Sequence, residues 1–296
     1  MALDPLLVPL LRAHRPGRSY AAYVEREPEL TEIRDETVPP DGFGVRIYRD
    51  ARSRLPGALV YYHGGGWTSG TLDGPDNRCR AIAAGAGVVV ISVDYRLAPG
   101  FPFPIPLEDA YRALTWAVEE ADRLGFDPGR IGVAGESAGG NLAAAVALLA
   151  RERGGPRLRL QVLEIPALDL TLSSPSIAAY GEGYVLSAAA LADHVRDYLG
   201  GRDPAEPLAS PLLAGDLSGL PPALVAVAEC DPLADDGDRY ARRLTEAGVP
   251  VTFRRFAGQV HGSQSLTALL PTAREWRETV VAAVRDHLTG ERPDGG

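Results

Sequence analysis

The stretch "RIGVAGESAGGNLAAAVALLA", Arg130–Ala150, runs an apolar strand into a serine framed by small residues and then into an alanine-rich helix. Ile131 and Val133 are β-branched, while Gly132, Ala134 and Gly135 leave room for close neighbours, the pattern of a buried strand. Beyond Asn141, Leu142, Val146 and Leu149 recur at i, i+4 and i+7, which places them on one helical face. The junction between the two is Gly135-Glu136-Ser137-Ala138-Gly139, a G-x-S-x-G turn. Reversing a chain from strand to helix this quickly strains the central residue, and glycines on both sides remove the Cβ atoms that would collide. Such a turn holds the Ser137 hydroxyl up and exposed, and the following helix aims free N–H groups and a positive dipole end at any negative charge formed there. A tight turn with a small filler residue would look the same locally, so partners elsewhere in the chain must decide.

Working outward, strands alternate with helices. "GFGVRIYRD" and "GALVYYH" precede a helix near Gly74–Ala86; "GVVVISVDY" precedes a helix from Pro106 to Leu124; the serine strand and its helix follow. Then come "LRLQVLEIP", an irregular region from about Ala167 to Leu220, "PALVAVAEC", a helix from Leu233 to Ala247, "VPVTFRRF" and a helix from Pro271 to His287. Several strands are apolar on both faces, as a parallel sheet covered by helices on each side requires. The expectation is therefore an α/β protein with one core and a mostly parallel central sheet. Residues 1–40 are read as an N-terminal helical part of a cap, with an insertion at about 170–212 completing it over residues 41–296. The tail "GERPDGG" is expected to fray.

Composition narrows the function classes. The chain has 296 residues, 45% of them hydrophobic, with a net charge of −9. That acidity gives phosphates no basic face to meet, so no nucleic-acid partner is expected. The opening "MALDPLLVPLLRAHRPG" is interrupted by Asp4, Pro5 and Pro9, lacks a basic start and is followed by no small-residue cleavage site; it is expected to be an amphipathic helix of the mature protein, without membrane attachment. Cys79 and Cys230 are too few for a disulfide framework or a multi-cysteine metal site, which favours a reducing compartment, the cytoplasm. All 30 basic residues are arginine, so Schiff-base chemistry, a P-loop lysine and a Ser-Lys dyad are excluded. No metal or organic cofactor is expected.

In an open α/β sheet, ligands and chemistry gather beyond the carboxyl ends of the strands. Three further strands end in chemistry-bearing residues: "PALVAVAEC" in Asp231, "VPVTFRRF" and its continuation in His261, and "GALVYY" in His63-Gly64-Gly65-Gly66-Trp67. A serine needs a base to take its proton, and a histidine base needs a carboxylate to fix its tautomer. The order Ser137, Asp231, His261 is that of the α/β-hydrolase arrangement, and the glycines let backbone N–H groups swing toward a developing oxyanion, with the Ala138 N–H completing the hole. Each residue has a plainer role available. Asp231 could merely cap the helix after Pro232, His261 could be a satisfied loop residue, and Gly64–Gly66 could be a flexible turn. Asp235 and Asp236 are weaker candidates for the acid because they fall inside the helix. His14, His194 and His287 are weaker candidates for the base, and His63 is expected to brace the glycine loop.

The combination of "HGGGW", "DYRLAPGFPFPIPLEDAYRAL", "GESAGGNLAAAVAL", "SPLLAGDLSGLPPALV", "ECDPLADDGDRYARRL" and "FAGQVHGS", covering most of the chain from Gly57 onward, resembles the hormone-sensitive-lipase-like branch of the α/β-hydrolases. The resemblance implies Ser137 as nucleophile, His261 as base, Asp231 as its orienter, the N–H groups of Gly65, Gly66 and Ala138 as oxyanion hole, and a helical cap. It implies a serine carboxylesterase acting on short-to-medium acyl esters through an acyl-enzyme, with a small-molecule ester as partner; the sequence leaves a homodimer open. An N-acyl amide hydrolase would use the same machinery. A non-catalytic receptor for a small ligand is disfavoured because His261 is retained. The chain departs from the family pattern at Glu136, where aspartate is common, at Gly100-Phe101 in place of Glu-His, and at Ser263 in place of phenylalanine, the last bearing on pocket shape.

Overall fold

Valine and isoleucine crowd the strands of the central sheet because β-branched side chains pack well on a pleated surface with both faces covered. The computed structural model of the protein describes residues 3–13, 21–27, 29–40, 42–50 and 57–289. Its eight strands are β1 Glu32–Val38, β2 Phe43–Arg49, β3 Ala58–Tyr62, β4 Val89–Asp94, β5 Ile131–Glu136, β6 Leu158–Glu164, β7 Ala223–Cys230 and β8 Val251–Val260. The helices are α1 Val8–Arg12, α2 Asp76–Ala86, α3 Ile105–Glu119, α4 Ala121–Leu124, α5 Ala138–Glu152, α6 Pro175–Tyr180, α7 Ala188–Leu199, α8 Ala234–Glu246 and α9 Pro271–Leu288. The strand order is β1-β2-β4-β3-β5-β6-β7-β8, with β1 and β2 antiparallel at one edge and parallel pairing from β4 through β8. Apolar residues of α3, α5 and α8 form a core on one face of this sheet, and residues of α2 and α9 form one on the other. The expected doubly covered, mostly parallel α/β sheet is what the chain builds.

The helical reading of residues 1–40 needs correction. Glu32–Val38 is a strand, paired along its length with β2. Its residues are charged and mostly half-exposed, as suits an edge, and Arg46 and Arg123 hold Asp35 and Glu36 by paired hydrogen bonds. The helix expected in the opening stretch is present as α1 alone; His14 and the tail "GERPDGG" lie outside the described residues. Leu7 and Leu10 pack with Cys230, Val260 and Leu266, which sets α1 beside the ends of β7 and β8. Among the described residues, no helix is long and apolar enough to cross a membrane.

Pairing register sets the functional residues side by side. Cys230 pairs with Val260 across the β7–β8 ladder, so the next residue on each strand, Asp231 and His261, emerges at one level. Tyr62 pairs with Gly135 and Glu136 with Glu164, which brings the His63 loop and Ser137 to the same edge. A register shift between Ala228 and Cys230 falls two residues before Asp231, the kind of local bulge that re-aims a strand end.

Candidate active site

Ser137 is held in a conformation that few residues adopt, with φ 54° and ψ −118°, between the last residue of β5 and the first of α5. Its N–H donates to the Glu164 carbonyl at 2.8 Å, and its carbonyl accepts from Asn141 at 3.0 Å. The strain persists because the surroundings over-determine it. A Cβ at Gly135 would overlap the Gly139 carbonyl, and one at Gly139 would overlap the backbone of Tyr62 and His63, so the turn closes only with glycine at both positions. Helix α5 behind it is buried on every side from Ala138 to Ala150. Its alanines allow the close approach to β5 and β6.

The serine hydroxyl is 3.0 Å from His261 Nε2, and His261 Nδ1 is 2.8 Å from Asp231 Oδ2. Since Asp231 Oδ2 can only accept there, the proton belongs on Nδ1 and Nε2 is left as the acceptor facing Ser137. Asp231 also does what its plainer reading required. Its Oδ1 accepts from Leu233 N–H at 2.9 Å at the start of the next turn, so one carboxylate both caps the chain and holds the ring. The carboxylate is completely buried, and the His261 side chain is 14% exposed. Burial opposes the charged imidazolium, but the charge and hydrogen bond of Asp231, together with the charge of Glu136, outweigh it and hold the His261 pKa above the ordinary 6.5.

Across from this chain lies the glycine loop. Gly65 and Gly66 have φ 114° and 61°, and the loop closes on the Gly65 carbonyl, which accepts from Thr68 N–H at 3.2 Å and from Ser69 N–H and hydroxyl at 3.1 and 2.9 Å. With that carbonyl engaged, the N–H groups of Gly65, Gly66 and Ala138 find no carbonyl acceptor among the described residues. All three residues, with Ser137 and His261, line one cavity of about 320 Å³. His63 braces the loop: its ring stacks on Tyr95 at 4.3 Å, its Nδ1 lies 2.7 Å from the Gly64 carbonyl, and burial pushes its pKa down.

The weaker candidates are accounted for. Asp236 is buried and accepts from the N–H groups of Leu168 and Asp169 at 2.9 and 3.0 Å and from the Ser174 hydroxyl; burial nevertheless pushes its carboxyl up to about 6. Asp235 accepts from Ser176 N–H at 2.9 Å. Both tie the segment after β6 to α8, away from His261. His287 bonds to its own helix at Ala283.

Sequence reasoning placed two residues poorly. Ser263, expected to shape the pocket, does not line it: the hydroxyl accepts from Val260 N–H at 3.3 Å and the side chain is buried in the 3₁₀ turn Ser263–Ser265. Gln264 and Ser265 take that position, with Gln264 Nε2 donating to Glu136 at 2.7 Å. His194, set aside as a poor base, lies in the cavity wall, with Nδ1 2.9 Å from the Thr68 hydroxyl. The available signal was its spacing from Leu191 and Tyr198, which puts all three on one face of α7. At Gly100-Phe101 the Arg96 guanidinium lies 5.2 Å from the centre of the Phe101 ring while it grips Asp109 by two nitrogens.

Comparison with known proteins identifies the family. A family model described as the alpha/beta hydrolase fold matches residues 59–265. The chain is 43% identical over 267 residues to the carboxylic ester hydrolase LipN of Mycobacterium tuberculosis, covering 87% of this chain and 71% of the relative. It is 42% identical over 249 residues to an ethyl acetate hydrolase of Pseudomonas putida, covering 82% and 78%. Among solved structures it is similar to a hyperthermophilic esterase of the archaeon Pyrobaculum calidifontis, with a TM-score of 0.91 at 40% identity over 97% of this chain and 99% of that one.

Proposed function

The chain belongs to the α/β-hydrolase fold family, in its hormone-sensitive-lipase-like branch, and from that premise we propose how its residues carry out ester hydrolysis. It is a carboxylester hydrolase. The observation that carries the assignment of roles is the unbroken hydrogen-bond chain Ser137–His261–Asp231 opening onto a cavity floored by free backbone N–H groups.

Ser137 Oγ attacks the ester carbonyl as its proton passes to His261 Nε2. The imidazolium is stabilised by Asp231, which stays ionised. The former carbonyl oxygen, now negative, accepts from the N–H groups of Gly65, Gly66 and Ala138, donors already in place before charge develops. Collapse breaks the C–O bond; the leaving alkoxide takes the proton from His261 and departs as alcohol, leaving Ser137 acylated. Water then attacks the acyl carbon while His261 Nε2 takes its proton. The second tetrahedral intermediate releases the carboxylic acid and restores the Ser137 hydroxyl with the proton from His261.

The substrate is a short-to-medium acyl ester that fits the cavity of about 320 Å³. Two buried, unpaired cysteines, Cys79 and Cys230, support a cytoplasmic location. Rapid mixing with p-nitrophenyl acetate tests the mechanism: a burst of one nitrophenolate per chain and an acetyl group on the Ser137 peptide are expected. Turnover of p-nitrophenyl acetate with no acetyl adduct on the Ser137 peptide in rapidly quenched samples would overturn the acyl-enzyme route.

A further inference from the structure

Helix α7 buries Leu191, Val195, Tyr198 and Leu199, and half-buried His194 falls in the same row, at i+3 from Leu191. Leu191, Val195 and Tyr198 are buried apolar residues, so a histidine in that row needs a reason. The reason lies in the glycine loop. The His194 ring occupies the space in which a Cβ at Gly66 would sit, and its Nδ1 pairs with the Thr68 hydroxyl at 2.9 Å. One turn further, the Tyr198 ring stacks on Trp67 at 4.3 Å with 9° between planes, and the Tyr198 carbonyl accepts from Phe103 N–H at 2.7 Å. Gly66, Trp67 and Thr68 are thus each touched by the same face of one cap helix.

The loop needs such a hold. Gly65 and Gly66 have the widest backbone freedom of any residue type, and the hydrogen bonds donated by Thr68 and Ser69 converge on the Gly65 carbonyl, one residue before Gly66. An oxyanion hole contributes to rate only if its donors are in place before the charge forms.

We propose that His194 is a positioning residue: through Gly66 and Thr68 it sets the direction of the Gly66 N–H, so that the cap helix orders the oxyanion hole. This rests on the assignment of Gly65 and Gly66 as oxyanion donors. The coupling runs through a contact that no backbone ladder supplies, and it makes the catalytic rate of the sheet depend on the docking of α7.

The test uses His194→Ala, His194→Asn, Thr68→Val and the double variant Thr68→Val/His194→Ala, with p-nitrophenyl butyrate turnover, inhibition by an aryl trifluoromethyl ketone and melting temperature as readouts. The ketone forms a hemiketal with Ser137 whose oxyanion uses the hole. For a donor displaced rather than deleted, His194→Ala should lose about ten- to a hundredfold in kcat with KM within about twofold. Ketone affinity should fall by the same factor. Asparagine places a nitrogen or oxygen near the Nδ1 position, so His194→Asn should recover most of the loss, and the double variant should be no slower than His194→Ala. An unchanged kcat in His194→Ala, a rise in KM alone, or no rescue by asparagine overturns the proposal. If the wild-type enzyme itself fails to bind the ketone, the oxyanion assignment fails instead, and the two failures are told apart by that control.

Discussion

From Ile131 to Glu164 the chain is held by its backbone: β5 pairs on both sides, the Ser137 N–H is tied to β6, and glycine at 135 and 139 lets carbonyls pass within contact. From Ser174 to Leu199 it is held mainly by side chains, with a backbone bond from Phe103 N–H to the Tyr198 carbonyl. Here α6 and α7 are short, Gly181 and Gly183 interrupt them, and the anchors are Ser174 and Ser176 on α8 and the inward row of α7. Both regions line the same cavity. The first puts reacting atoms at fixed positions, because a sheet edge with paired register has few alternatives. The second closes the space around them with contacts that can be exchanged one at a time. Substitutions in the first should therefore change rate for every substrate alike, and substitutions in the second, His194 with its contact to the glycine loop apart, should change which substrate is preferred.

The hardest test of that division is Ser137→Ala. It removes the nucleophile from a turn whose hydrogen bonds are all made by backbone, so the melting temperature should stay near wild type while kcat falls by about a millionfold, as when a triad serine is deleted. A fluorophosphonate should label the wild type and not the variant. Equal labelling of the variant would show that another serine reacts and that the strained turn is structural.

Asp231→Asn comes next. The amide can still bond to His261 but stabilises the wrong tautomer, so a loss of about ten-thousandfold is expected. Asp235→Asn, in the helix that follows, should stay within a few-fold, since its carboxylate accepts from the Ser176 N–H and, among the described residues, does not reach His261. A reversal of these two results would move the acid role into α8 and break the register argument that set Asp231 beside His261.

That register was partly legible in the chain. The residues that carry chemistry follow short apolar strands, and motif, strand end and chain order coincide at Ser137, Asp231 and His261. What escaped has physical causes. Strand β1, "EIRDETV", buries only Val38 and carries charges on both faces, so no apolar period marks it; its pairing comes from β2, whose Phe43, Val45 and Ile47 are buried at alternate positions. In the sequence, the serine at 263, where the family usually has phenylalanine, points to the pocket, but a 3₁₀ turn lasting three residues rotates it inward and presents Gln264 and Ser265. His194 meets Thr68 across 126 positions, a contact that nothing local to either residue encodes.

A smaller and graded effect is the pH dependence. Turnover needs His261 neutral, and its pKa is held above 6.5 because Asp231 and Glu136 outweigh burial. The acid limb of kcat/KM should therefore have its midpoint above 6.5, with about a tenfold loss per pH unit below it. Asp231→Asn removes the largest raising influence and leaves burial, so the residual activity of that variant should have its midpoint shifted down. A limb that stays in place would mean that some other group is being titrated.

The smallest effect expected is the one that belongs to the cap. Leu186 and Leu191 are the aliphatic side chains that the cap contributes to the cavity wall, facing Ile165 and Ala167 from the sheet side. A space of about 320 Å³ that already admits the ester group leaves room for a few methylenes. While room remains, each buried CH₂ contributes about 0.8 kcal/mol, or about fourfold in kcat/KM; once the wall is met, further carbons must displace packed side chains and the gain reverses. For p-nitrophenyl esters kcat/KM should then rise from acetate to a maximum between butyrate and octanoate and fall beyond it, with Ser263 having no influence because it does not reach the wall. Leu191→Ala should move the maximum to longer chains by roughly two carbons while acetate turnover changes by less than about threefold, since the truncation opens space without touching Ser137, His261 or the glycine loop. If instead Leu191→Ala slows acetate and octanoate by the same large factor, the cap is acting on rate at this position as well as at His194, and the division between the two regions fails. Preference of the wild type for palmitate would fail it differently, because a chain of that length outruns a cavity of about 320 Å³.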